Sequence, residues 1–282
     1  MGAESCKLMD NACPSRRQRA HFWLACVCAV FILLAVQPLC AITLSKSEAL
    51  RIGKKIWQNE CNGTVSGLTS WNAGEDFASL GIGHFIWYPE GKRGPFEESF
   101  PKFIDFARKN ENRIPGWLDQ APACPWRSRA EFSAAQNSSQ VTELRQFLAH
   151  TVDLQAQFMV ARLEQSLAKM LDEAAPGDRA NVERQFIRIA STPHGCYVLV
   201  DYVNFKGEGV LHTERYRGEG WGLLQVLEQM RGAESGASAE REFSTAAAAV
   251  LRRRVQNSPP DRHEARWLPG WLNRVQTYRQ SS

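Results

Sequence analysis

From residue 44 onward, apolar positions recur first at helical and then at alternating spacing. Ser45-Lys46-Ser47-Glu48 forms a capping box, Leu44 and Ala49 are placed as a hydrophobic staple, and Ala49, Ile52 and Ile56 make one stripe of the helix that follows. Extending that stripe by four reaches Glu60, a carboxylate on the core-facing side at the negative end of the helix. Burial and a helix C-terminus both disfavour an ionised carboxyl. Cys61-Asn62-Gly63 ends the helix. Residues 68–71 and 77–82 then read as two short strands around the polar turn Asn72-Ala73-Gly74-Glu75-Asp76. Gly81 and Gly83 interrupt the second strand, which predicts a close approach of backbone or ligand there.

The remainder is mostly helical. An aromatic loop is expected over 85–95, a helix with Phe103 and Phe106 inward over 100–110, and irregular structure over 111–137. A long helical face runs over 141–174 until Pro176-Gly177 breaks it. A helix follows over 181–190, and Ser191-Thr192-Pro193 caps the next. Residues 196–205 (CYVLVDYVNF) are apolar on nearly all sides, as a buried central helix requires. A glycine-rich loop is expected over 206–220 and further helices over 221–230, 240–255 and 267–278. The fold class read from this pattern is α+β, mostly α, with one small β-hairpin.

At 282 residues and 44% hydrophobic content, the chain suits one sizeable domain. Its net charge is +4, of which residues 1–41 carry +2, too even a balance for nucleic acid as partner. The basic run at 15–19 and the apolar run at 22–36 read as an export signal ending near Ala41, or as an anchor retained in the inner membrane. The expected organisation is therefore a leader at 1–41 and a domain at 42–282, with a periplasmic or secreted location. Cys61, Cys124 and Cys196 remain after the leader, with no CxxC pair, so no zinc site or other metal is expected. One disulfide is compatible with an oxidising compartment, and Cys61–Cys124 is the expected pair.

A glutamate at a helix end facing a hairpin across a cleft is the setting a glycosidase needs for its general acid. Glu60, Leu68-Thr69-Ser70-Trp71, the polar turn and Ser79-Leu80-Gly81-Ile82-Gly83-His84 resemble the active-site signature of phage-type lysozymes (endolysins), within the lysozyme-like superfamily. That signature has a catalytic Glu closing the first helix, an Asp on the hairpin, and Thr-Ile-Gly-x-Gly-His. The specific part covers about 30 residues of the chain. The order of the segments around Asp201–Asn204, 222–227 and 257–275 is similar to the family's C-terminal half, and helices at about 139–190 are then an elaboration.

The resemblance implies a lysozyme-like helical domain that cuts the MurNAc-GlcNAc β-1,4 bond of peptidoglycan strands without a cofactor. Glu60 is the implied general acid, and Ser79 stands in the position of the family's Thr. The family's Asp falls on Ala73, leaving Asp76 or Glu75 in the same turn to supply the second carboxylate. His84, Trp87 and Asn204, with Glu75, are the expected substrate-lining residues, and Trp71 and Tyr88 are further aromatic candidates for stacking on sugars. With one acid only, the site resembles that of the lytic transglycosylases. Two readings from other classes stand beside these. One is a lysozyme-like module that binds glycan or protein without cleaving. The other is a cysteine peptidase or amidase using Cys61 with His84 or His194.

Overall fold

A computed structural model describes residues 42–94 and 96–279, and these form one compact unit. The expected leader, its apolar run at 22–36 and its five cysteines lie outside the described residues. Among the described residues no helix is long and apolar enough to cross a membrane. The architecture is mostly helical with a little β-structure, the class expected from the pattern.

Helix α1 spans Lys46–Cys61, with Ser45 and Glu48 forming the capping box. It ends where expected, on Asn62 in the left-handed conformation. Strands β1 (Thr69–Ser70), β2 (Ala78–Leu80) and β3 (Phe85–Trp87) make an antiparallel sheet in that order, with Ser79 opposite both Ser70 and Ile86. The third strand replaces the expected loop. Phe85 and Trp87 point into the core on alternate positions, and Gly81-Ile82-Gly83-His84 is the turn between β2 and β3 rather than the end of a strand.

Helix α2 (Phe100–Lys109) packs on β3. Short helices α3 (Gly116–Asp119) and α4 (Arg129–Ala134) occupy the stretch expected to be irregular. The single long helix expected over 141–174 is two: α5 (Ser139–His150) and α6 (Val152–Glu173). They part at Thr151, whose hydroxyl donates to the Phe147 carbonyl at 2.8 Å and competes with the helical ladder. Gln155 uses the break. Its amide donates to the Leu148 carbonyl at 2.7 Å, and its Oε1 accepts from the Ile82 N–H at 2.9 Å. The β2–β3 turn is thereby fastened to α6. A Cβ on Gly81 would lie 2.3 Å from that Oε1, and one on Gly83 would lie 2.5 Å from the Phe85 ring. The close approach predicted at the two glycines is packing by the protein's own side chains.

Helices α7 (Arg179–Ala190) and α8 (Pro193–Lys206) follow. α8 is the central helix: the Thr192 hydroxyl caps it by accepting from the Gly195 N–H, and every residue from Gly195 to Tyr202 is buried. It contacts α1, α6, α7 and α9 (Leu223–Gln229), which explains why it is apolar on all sides. A two-residue ribbon, β4 (Arg215–Tyr216) with β5 (Glu219–Gly220), lies in the expected loop. α10 (Ala237–Asn257) and α11 (Leu268–Gln276) complete the layers. α6 packs along α1 and supplies one wall of the cleft described next.

Candidate active site

A cleft of about 580 Å³ opens between the β2–β3 turn, α6, α8 and the loop after α8. Glu60 lies on its lining together with His84 and Asn204, three residues singled out in the sequence. The side chain of Glu60 is 14% exposed. Its carboxylate pairs with Nη2 of Arg274 on α11, 214 positions further along the chain.

Arg274 is itself held by Asp201 of α8, a fully buried residue. The guanidinium donates from Nε to Asp201 Oδ2 and from Nη2 to Asp201 Oδ1, both at 2.9 Å, so Nη2 is shared between the two acids. The Tyr278 hydroxyl donates to Asp201 Oδ2 at 2.6 Å, and Asn59 Nδ2 donates to Asp201 Oδ1 at 3.1 Å. A buried carboxylate with donors on both oxygens is tolerable where a bare one is not. Burial alone would lower the pKa of Arg274, but Asp201 and then Glu60 raise it well above the ordinary arginine value, fixing the cation. Asp201 in a polar network and Asn204 on a cleft follow the requirement that polar groups on an apolar helix find partners. Arg274 lies in the segment 257–275 that resembles the family's C-terminal half, but nothing in the sequence marked it or Tyr278 as a partner of Asp201.

The expected second carboxylate is elsewhere. Asp76 is exposed on the β1–β2 loop, and neither it nor Glu75 lines the cleft. Glu75 is half-buried, with Oε2 enclosed and unpartnered among the described residues. Ser79 is buried at 4% exposure in the middle strand, so its hydroxyl does not face the cleft lining. Trp87 is 2% exposed and packs on Phe100, ring centres 4.9 Å apart; it is core, not a platform for sugar. Trp71 and Tyr88 are buried too. Aromatic residues in a short strand read alike whether they face core or cleft, because the register is set by distant partners.

Four glutamates line the cleft: Glu60, Glu97, Glu208 and Glu214. Glu97 pairs with Lys102 and Arg162, and Glu208 with Lys169 at 3.3 Å. Glu214 has no ion-pair partner among the described residues. Burial raises its pKa above the ordinary carboxyl value, Arg254 opposes that and Glu208 adds to it.

The three cysteines after the leader are free and buried, so the expected Cys61–Cys124 disulfide is absent from the structure. Cys61 Sγ lies 3.8 Å from His84 Nε2, the pair a cysteine hydrolase would need. Burial first, and then the Glu60 charge, push its thiol up to about 12, so at neutral pH it holds its proton and is a poor nucleophile. His84 sits at φ 47°, in the left-handed region, which turns its ring toward Cys61 and the cleft. His194 does not line this cleft; its Nε2 lies 3.1 Å from the Tyr278 carbonyl oxygen. No group of acids, histidines and cysteines among the described residues is arranged to hold a metal ion.

The chain matches no family model, no curated protein and no solved structure.

Proposed function

We propose that the protein is an exported, lysozyme-like glycosidase that cuts peptidoglycan strands at the MurNAc-GlcNAc β-1,4 bond, with Glu60 as general acid. One observation carries the reading: Glu60, His84 and Asn204 come from three separate segments and share one cleft. Glu60 gives its proton to the glycosidic oxygen, and negative charge grows on its carboxyl as the bond breaks. Once the proton has left, Arg274, held by Asp201, pairs with the Glu60 carboxylate as it does in the structure. Preorganised charge of this kind lowers a barrier because nothing has to reorient at the moment of reaction. Asn204 offers an amide to sugar hydroxyl or acetamido groups in the groove.

A second reading is a lysozyme-like module that binds glycan without cutting it. It is favoured by Ala73 at the position of the family's Asp and by the distance of Glu75 and Asp76 from the cleft lining. Incubating the full chain with peptidoglycan beside Glu60→Gln, and reading soluble products by mass spectrometry, separates the two. Products that vanish in the variant support cleavage; reducing ends mean hydrolysis and anhydro ends a transglycosylase. Binding to the glycan without products, from folded wild type, leaves the module.

A further inference from the structure

Of the four carboxylates on the cleft, three are already committed to cations: Glu60 to Arg274, Glu97 to Lys102 and Arg162, and Glu208 to Lys169. Glu214 is the one with no such partner among the described residues, and it is half-buried on the cleft wall. It sits on the loop before β4, with Oε2 against the backbone of Gly207, where an added Cβ would meet it at 3.3 Å. Gly207 closes α8 at φ +82°, a conformation that only glycine adopts without strain. Each acid has its own contact near α8. Glu60 is tied through Arg274 to Asp201, and Glu214 lies against Gly207. Glu60 and Glu214 reach the same cleft from two segments far apart in the chain.

We propose that Glu214 is the second carboxylate of the site, the base that takes a proton from the attacking water. The proposal rests on the glycan-cleaving reading and replaces Asp76 or Glu75 in it. The water oxygen bonds to the anomeric carbon, and the electron pair of the breaking C–O bond stays with the departing oxygen. That oxygen receives the proton of Glu60, while the proton lost by water goes to Glu214. Exchange of both carboxyls with solvent then resets the site. Attack from the face opposite the leaving group inverts the anomeric carbon. The charged groups around Glu214 are Glu208 of its own loop and Arg254 of α10; Arg254 is itself engaged by Glu264 at 2.7 Å. A partly desolvated carboxylate is a stronger base than an exposed one.

The test uses the full chain and soluble, uncrosslinked glycan strands, comparing wild type, Glu60→Gln, Glu214→Gln and Glu214→Asp. Turnover is read as new reducing ends, strand binding by co-sedimentation or calorimetry, folding by thermal melt, and the first-formed anomer by proton NMR. Glu214→Gln is expected to bind strands and melt like wild type, to lose about 10²–10⁴-fold in turnover, and to regain cleavage with azide, a nucleophile that needs no base, read by mass spectrometry as glycosyl azide because that product has no reducing end. Glu60→Gln is expected to gain nothing from azide. Glu214→Asp is expected to retain part of the activity, and wild type to release the inverted anomer. If Glu60→Gln is dead while Glu214→Gln turns over like wild type, Glu214 is not the base and the cleavage reading stands. Retained or 1,6-anhydro products also remove Glu214 alone. A folded wild type that yields no products removes both.

Discussion

Truncating Arg274 leaves Asp201 buried with only Tyr278 and Asn59 as donors, and frees Glu60 from its partner. Breaking a buried pair from one side costs about 3–5 kcal/mol, so Arg274→Ala is expected to lower the urea midpoint strongly. Arg274→Lys restores the charge without the planar fork that serves two acids at once, and is expected to recover only part of the loss. Lys206 gives the opposite kind of prediction. Burial, aided by Arg254 and Arg274, lowers its pKa from 10.5 to about 7, and its ammonium lies 3.4 Å from the centre of the Trp271 ring. Because the folded value lies below the unfolded one, the unfolded chain binds more protons between pH 7 and 10.5. Stability therefore rises with pH across that window. Melting temperatures taken from pH 6 to 10 are expected to show that rise, and Lys206→Met to flatten it while stabilising the protein at pH 6.

At the scale of elements, two glycines of the hairpin separate backbone strain from crowding. Gly74 and Gly81 have φ +85° and +73°, but nothing lies within 4 Å of a Cβ at Gly74, whereas Gln155 occupies that space at Gly81. Gly74→Ala is expected to cost about 1–2 kcal/mol, the left-handed penalty alone. Gly81→Ala is expected to cost clearly more and to loosen the turn from α6, read as faster amide exchange at Ile82. The elements that were legible in the sequence are those fixed locally: the capping box of α1, its Asn62-Gly63 end and the apolar run of α8. The break at Thr151 was hidden because Thr and Gln fit a helix well enough until Ile82, 73 positions from Gln155, claims a hydrogen bond. β3 was hidden for a like reason. Three residues carry too little alternation to reveal a strand that exists through its pairing with β2.

For the whole molecule, the helical class, the cleft position of Glu60 and the company of His84 and Asn204 were readable. The network behind Glu60 was not, because Arg274 and Asp201 are 73 positions apart and a lone arginine in a helix ordinarily marks a solvated face. The three thiols offer a global probe. Cys61, Cys124 and Cys196 are each 4% exposed or less. Labelling of these three by a thiol reagent, followed by peptide mapping, is expected to be absent in the folded protein, and on adding urea to appear at all three together as the domain opens.

The pairing of Glu60 with Arg274 also imposes an order of events in time. Glu60 leaves the ribosome 214 residues ahead of the guanidinium that holds it. Until α11 has been synthesised and has docked, the partly made protein has Glu60 and the hairpin but lacks the cation that pairs with Glu60. A cell that makes this chain therefore handles a nascent protein with an unfinished site, and a messenger cut short before codon 274 yields one that stays unfinished.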